Sequence, residues 1–230
     1  HGVMSRFGKS WGTIVLLAAC GLAMLVAIAA IYVSTSTVMD PDPVSKAGRE
    51  IATRSPVEPE AFKFREGIAP LQAAEINAAV PDSDEPILPA KPFAILSQAA
   101  AGAAQLSAID CLTAAVYYEA ASETITGQRA VAQVVLNRMR HPAYPSSVCG
   151  VVFQGSQRAT GCQFTFTCDG SLRRRPSASG WLRARSVATA ALSGYVEPAV
   201  GHATHYHTTY VVPYWSSSLT KLRTVGSHIF

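Results

Sequence analysis

One acidic residue of this chain, Glu119, lies among apolar and aromatic neighbours that would exclude water from it. Glu119 follows Val116, Tyr117 and Tyr118 and precedes two alanines on a predicted helix. An ionised carboxylate is poorly solvated in such surroundings, so its pKa rises and the protonated form persists near neutral pH. A protonated carboxyl group can donate a proton to a leaving oxygen, which is what the cleavage of a glycosidic bond requires.

A second acidic residue, Glu123, lies one helical turn after Glu119 and on the same predicted face. A retaining glycosidase holds two carboxyl groups about 5 Å apart across the substrate, whereas two side chains on one helix face approach from the same side. We therefore predict that Glu123 supports Glu119, either by raising its pKa or by holding a loop. A solvated surface position accounts for Glu123 equally well.

Several histidines lie close together near the C-terminus. If residues 204–212 form a strand, His205 and His207 project to one face and Tyr206 to the other. With His202 they could provide part of a zinc site. The sequence has neither a His-Glu-x-x-His pattern nor a clear third ligand beside them, so we favour no metal and expect no cofactor.

The elements that must position these residues are mostly helical. Apolar spacing and capping residues predict helices over residues 107 or 110 to 121, 126 or 127 to 140, 146 or 147 to 153, and 180–192. Strand-like runs cover residues 163–167, 204–212 and 222–229. The sequence therefore predicts a mostly helical α+β domain with a small β-sheet.

Four cysteines fall in this half of the chain: Cys111, Cys149, Cys162 and Cys168. They allow three disulfide pairings. A bond between Cys162 and Cys168 would close a short loop, and one between Cys111 and Cys149 would tie the Glu119 helix to a later one. Because the sequence has no Cys-x-x-Cys pair, we favour disulfides over zinc, which indicates an exported domain.

An uncharged apolar stretch covers residues 12–33. At ~1.5 Å per residue, a helix of this length crosses a ~30 Å hydrocarbon core. Basic residues precede it and acidic residues follow it, so we expect a single-pass anchor in the cytoplasmic membrane, with the N-terminus inside and the catalytic domain periplasmic or extracytoplasmic. A cleaved signal peptide and a lipoprotein signal at Cys20 are the alternatives, and both also export the chain.

Composition divides the chain into three parts. Residues 1–33 are assigned to a cytoplasmic stub and the transmembrane anchor, residues 34–104 to a Pro-rich flexible tether, and residues 105–230 to the catalytic domain. The tether is net acidic, whereas basic residues outnumber acidic ones by about two to one in the domain. Nucleic acid fits that charge but not export, while a carboxylate-bearing cell-wall polymer fits both.

Three separated blocks of sequence carry a resemblance to a known family. The first covers residues 114–123 and 127–138, the second residues 145–154 and 163–169, and the third residues 201–207, 213–215 and 226–230. On these blocks, the segment from about residue 109 to residue 230 resembles the catalytic domain of the SleB-type cell wall hydrolases, the spore-cortex-lytic enzyme family. The resemblance implies a lysozyme-like fold.

The resemblance also implies an activity. Family members cleave the β-1,4 bond between N-acetylmuramic acid and N-acetylglucosamine in peptidoglycan, as muramidases or lytic transglycosylases. The glutamate of the family's Tyr-x-Glu-Ala motif is the acid/base, and Glu119 holds that position here. When the substrate's own 6-hydroxyl attacks, no second carboxylate is needed. A metal-dependent exported hydrolase and a non-catalytic peptidoglycan-binding module are the alternatives.

Substrate contacts follow from the same resemblance, which implies a cleft whose walls hydrogen-bond to sugar rings and stack on them. The implied partners are peptidoglycan glycan strands and, through the N-terminal helix, the lipid bilayer. Core packing explains each aromatic residue at least as well. The candidates for substrate binding are Tyr118, Gln163, Phe164, Thr165, Phe166, His205, Tyr206, His207 and Trp215.

Overall fold

The computed structural model of the chain describes Leu17, Cys20 and residues 22–25, 65–94, 103–158 and 161–230. The chain divides into two compact units, His1–Asp40 and Pro41–Phe230. The described residues of the first unit are helical and exposed. The predicted membrane segment lies mostly outside the described residues, as does the predicted tether up to residue 64. Within the described part, no helix combines the length and the apolar character needed to cross a membrane.

Helices are the main regular elements of the described second unit. They are α1 (Pro70–Ala79), α2 (Ala103–Ala120), α3 (Ile125–Arg140), α4 (Val148–Val152) and α5 (Ala178–Leu192). Short 3₁₀ helices cover Thr165–Thr167, Ser171–Arg173 and Ser216–Ser218. The strands are β1 (His207–Thr208), β2 (Thr224–Val225) and β3 (His228–Ile229). The predicted mostly helical domain with a small sheet is thus confirmed.

Hydroxyl side chains cap three of these helices and explain where they begin. Thr124, Ser147 and Ser177 each accept a hydrogen bond from the backbone N–H three residues later, at 3.3, 3.1 and 3.3 Å. Such a cap stabilises a helix by about 1 kcal/mol. The cap predicted at Ser147 is confirmed, whereas α3 and α5 begin slightly earlier than predicted.

Helix α2 lies at the centre of the core, where it packs against α3, α4 and α5. Leu112 and Val116 on α2 are fully buried, and Trp181 on α5 is 1% exposed. A disulfide between Cys111 and Cys149 joins α2 to α4. These contacts fix the helix that carries Glu119.

The small sheet is antiparallel with the strand order β1-β3-β2. His207 pairs with Ile229, and Thr224 pairs with Ile229 from the other side. The predicted strand at 204–212 keeps only two residues in the sheet, and the predicted strand at 222–229 is a hairpin. This hairpin turns at Gly226, whose φ of +59° favours glycine.

The predicted strand at residues 163–167 is wrong, because most of this segment is a 3₁₀ helix. A disulfide holds the Cα atoms of Cys162 and Cys168 only 6.4 Å apart. Extended chain would separate them by about 20 Å. The Thr167 hydroxyl also donates to the Phe164 carbonyl at 2.7 Å, which stabilises the turn. The alternating Phe-Thr pattern therefore reflects a closed loop.

Removing this loop-closing bond should lower stability. The double substitution Cys162→Ser and Cys168→Ser is expected to reduce the free energy of unfolding by about 2 kcal/mol, because the bond restricts a short loop in the unfolded chain. Urea denaturation without reductant measures the effect. Cys20→Ser, which changes an exposed free cysteine, is the control and should leave the midpoint unchanged. An unchanged midpoint in the double variant would contradict the expectation.

Residues 65–94 differ from the flexible tether predicted for them, because they lie on the domain. We call this segment the arm. The Arg65 N–H donates to the Val212 carbonyl at 3.1 Å. At the other end, Ala94 forms an isolated antiparallel bridge with Ser193. Both ends of the arm are therefore attached to the rest of the second unit.

Helix α1 of the arm is held by long-range polar contacts. Asn77, which is 6% exposed, donates from Nδ2 to the carbonyls of Thr209 at 2.7 Å and Val211 at 2.9 Å. Lys221 donates from Nζ to the carbonyls of Asn77 at 3.2 Å and Val80 at 2.8 Å. The sequence predicted only a flexible tether here, because these partners lie more than a hundred residues away.

Candidate active site

Glu119 lies in the last turn of α2, where the helix leaves the core. Its side chain is half-buried, while Ala115 and Val116 just before it are fully buried. The C-terminal end of a helix carries partial negative charge, which disfavours an ionised carboxylate. The position therefore favours the neutral acid.

The pKa of Glu119 reflects this setting. Burial is the largest influence and raises the pKa of this carboxyl group from 4.5 to about 7, net of the opposing effects. The hydrogen bond from Tyr206 and the positive charge of Arg138 lower the pKa, and the negative charge of Asp169 raises it. Both the protonated and the ionised form are accessible near neutral pH.

Tyr206 is the direct hydrogen-bond partner of Glu119. Its hydroxyl group donates to Oε2 of Glu119 at 3.0 Å. Burial and the nearby carboxylate raise the pKa of Tyr206 well above its usual value, so the phenol keeps its proton. Among the described residues, none donates a hydrogen bond to Oε1 of Glu119.

Two residues near Glu119 were missed by the sequence analysis. Arg138 is 5% exposed, donates from Nε to the Thr204 carbonyl at 2.5 Å, and lies over the Tyr144 ring with its Cζ 5.2 Å from the centroid. Its helical spacing from the buried Val134 was a signal that it faces inward. Asp169 is exposed and came within a block that carried the resemblance, but it has no apolar surroundings to single it out.

Glu123 holds a turn. Its carboxylate accepts from the backbone N–H of Ser227 at 3.3 Å and also from the Ser227 hydroxyl group. A Cβ atom at Gly226 would lie 1.8 Å from Oε2 of Glu123, so only glycine leaves room for this contact. Of the two roles suggested for Glu123, the geometry favours holding the β2–β3 turn.

The aromatic candidates divide by burial. Tyr118 is half-buried and stacks on Phe166 with a centroid distance of 5.0 Å. Phe164 and Phe166 are each 3% exposed and pack inside the domain. Thr165 is exposed and Gln163 is half-buried. Tyr118 and Thr165 are thus open to a ligand, and Phe166 packs against the Tyr118 ring.

The histidine run faces two ways, as its spacing predicted. Tyr206 points to Glu119, whereas His205 and His207 contact Trp215 with centroid distances of 5.0 and 5.6 Å. His207 is 7% exposed, and burial lowers its pKa. The structure therefore separates Tyr206 from the other members of this predicted cluster.

Potential metal ligands are dispersed. Across residues 65–94, 103–158 and 161–230, no three His, Cys, Asp or Glu side chains come together in a way that could hold a metal ion. His202 is exposed, while His207 is buried against Trp215.

The sequence model of a family described as Cell Wall Hydrolase matches residues 122–230. The match begins just after Glu119. Residues of this chain are also 33% identical, over 122 residues, to the spore cortex-lytic enzyme of Halalkalibacterium halodurans, and 31% identical over 122 residues to that of Bacillus subtilis. These alignments cover 53% of this chain but only 34% and 36% of those proteins. The chain thus spans about a third of these curated relatives.

Two solved structures are also similar. One is the catalytic domain of the Bacillus cereus SleB protein, at 30% identity and a TM-score of 0.44, with 53% of this chain and 87% of that one covered. The other is the catalytic domain of the germination-specific lytic transglycosylase SleB from Bacillus anthracis, at 31% identity and a TM-score of 0.43. The match to this second structure covers 53% of this chain and 91% of the other.

Proposed function

Because residues 122–230 belong to the cell wall hydrolase family, we propose that this chain is a peptidoglycan-cleaving enzyme with Glu119 as its single acid/base. The observation that carries the proposal is the half-buried carboxyl group of Glu119, whose pKa is about 7 and whose Oε2 accepts a hydrogen bond from Tyr206. The bond proposed is the β-1,4 linkage between N-acetylmuramic acid and N-acetylglucosamine. The relatives' names and the basic charge of the domain support this substrate.

In the proposed mechanism, protonated Glu119 donates its proton to the glycosidic oxygen as the bond to the muramyl anomeric carbon breaks. The ionised carboxylate then accepts a proton from the nucleophile that attacks this carbon. If the nucleophile is the 6-hydroxyl of the same sugar, a 1,6-anhydro end forms, whereas water gives a reducing end. Tyr206 donates to Glu119 throughout and stabilises the ionised form.

Digestion of purified sacculi tests the reaction. Mass spectrometry of the released muropeptides distinguishes anhydro ends from reducing ends, which are heavier by one water. We expect anhydro ends, since the nucleophile is then built into the substrate. The absence of any soluble product from the active, folded protein would contradict the proposal.

Tyr206→Phe should shift the pH dependence of this reaction. The tyrosine hydrogen bond lowers the pKa of Glu119, so its loss raises that pKa and keeps the acid form to higher pH. The alkaline limb of the pH–rate profile should therefore move to higher pH, with activity at the optimum within about tenfold of wild type. Tyr210→Phe, at an exposed position, is the control. An identical alkaline limb in the Tyr206 variant would contradict the expectation.

Localisation is a separate part of the proposal. We propose that the catalytic domain works outside the cytoplasmic membrane, anchored through residues 12–33. The uncharged apolar stretch at these positions and the two disulfides of the domain support it. Protease treatment of spheroplasts should digest the domain without lysis, and protection from the protease would contradict this localisation.

A further inference from the structure

A cavity of about 580 Å³ lies between the arm and the C-terminal part of the domain, and Glu119 is not among its lining residues. Ile76, Asn77 and Val80 of the arm line it together with His207 and Trp215. Its volume is that of a small-molecule binding site.

The arm forms one wall of this cavity. Its residues precede the segment that matches the family, which begins at residue 122. Asn77 and Arg65 fix the arm wall through hydrogen bonds to the carbonyls of Thr209, Val211 and Val212. Without this wall, Trp215 and its neighbours would form an open face.

The cavity offers both an apolar surface and a polar amide side chain. Trp215 is half-buried and supported by the rings of His205 and His207. Both N–H groups of Asn77 Nδ2 are used by backbone carbonyls, which fixes the orientation of the amide. Asn77 Oδ1 accepts no hydrogen bond from any residue that the structure describes. An amide oxygen in a cavity wall can accept a hydrogen bond from a ligand's N–H or O–H.

We propose that this cavity binds a disaccharide-sized segment of an N-acetylated glycan, as a second saccharide site apart from Glu119. The inference rests on the glycan substrate of the proposed function. The apolar face of a sugar ring stacks on the Trp215 indole, and an N-acetyl N–H or a hydroxyl group donates to Asn77 Oδ1. The arm therefore determines how much of the glycan the domain holds.

Binding of chitotriose to the full chain tests the site, with Glu119→Gln present to prevent cleavage. Calorimetry should show binding that weakens by roughly tenfold or more when Trp215→Ala removes the stacking face or Ile76→Trp fills the cavity. Leu71→Trp, on the same helix but 82% exposed and not lining the cavity, is the matched control and should keep its affinity. Equal affinities in all variants, or no binding of chitotriose, would overturn the proposal.

Circular dichroism at the binding temperature checks each fold. If Ile76→Trp does not fold, Val80→Trp at the cavity edge takes its place, since Val80 is 47% exposed and tolerates a larger side chain. The two proposals fail separately. If Glu119→Gln still cleaves sacculi, the assignment of Glu119 falls while the affinities still decide the cavity. If cleavage needs Glu119 but the affinities do not differ, only the cavity proposal falls.

Discussion

Glu119→Gln should abolish the release of soluble muropeptides from purified sacculi, with a loss of roughly 10²–10⁴-fold. The amide has the size of the acid and still accepts a hydrogen bond from Tyr206, but it cannot protonate the leaving oxygen. Reducing-end and anhydro-end products are quantified by chromatography with mass detection. Glu75→Gln, exposed on α1, is the matched control and should remain fully active. Wild-type activity in the Glu119 variant would refute its role.

The same variant provides its own check on folding. In the folded wild type the pKa of Glu119 is about 7, against an ordinary value of 4.5. The folded state therefore holds its proton more tightly than the unfolded state, and wild-type stability falls as the pH rises from about 4.5 to about 7. Glutamine does not ionise, so the variant should gain on the order of 2–3 kcal/mol relative to wild type by pH 8. Thermal unfolding at pH 4.5 and pH 8 measures this gain, which should be smallest at the lower pH.

Glu123→Ala should reduce both stability and activity. The free energy of unfolding is expected to fall by about 2–4 kcal/mol, because the Ser227 N–H and hydroxyl lose their acceptor. The turn leads into β3, where His228 and Phe230 contact the Tyr206 ring at centroid distances of 5.1 and 5.6 Å. Tyr206 loses its support, so kcat should fall by roughly tenfold or more.

Two further variants distinguish positioning from simple loss of fold. Glu123→Gln keeps an acceptor oxygen and should recover most of the activity. Gly226→Ala forces the Glu123 carboxylate away and should resemble Glu123→Ala. Glu123→Ala and Gly226→Ala should both move the alkaline limb of the pH–rate profile to higher pH, as Tyr206→Phe does. A normal profile at a temperature where the variants are folded would contradict a positioning role for Glu123.

The local signals of the sequence predicted the helices well. Caps and apolar spacing located α3, α4 and α5 to within about two residues, because these signals depend on neighbours in the chain. The strand predicted at residues 163–167 was wrong because a disulfide closes this segment into a turn. Hydrophobic periodicity does not reveal a disulfide. The flexible tether predicted for the arm was wrong for a related reason, since Asn77 and Lys221 form hydrogen bonds with partners far along the chain.

The candidate site was predictable in part. The apolar neighbours of Glu119 indicated a raised pKa, and the structure shows one. Tyr206 contacts Glu119, whereas the adjacent histidines contact Trp215. Two causes combine here: side chains alternate along the chain, and β3 packs against Tyr206. Only the alternation is visible in the sequence. Asp169 and Arg138 act on Glu119 through space: the helical spacing of Arg138 indicated an inward position but not this effect, and nothing in the sequence singled out Asp169.

Because its pKa is raised, the Glu119 side chain can act both as an acid and as a base near neutral pH. A carboxyl group with a pKa of about 7 divides its population evenly between acid and base at neutral pH. A pKa near the pH of the medium suits a residue that must give a proton in one half-reaction and take one in the next. Raising the pH of the medium to one unit above this pKa would leave only about a tenth of the molecules in the acid form that begins the reaction, so the rate would fall. The burial of the Glu119 side chain, which raises its pKa, therefore suits the reaction to a near-neutral medium.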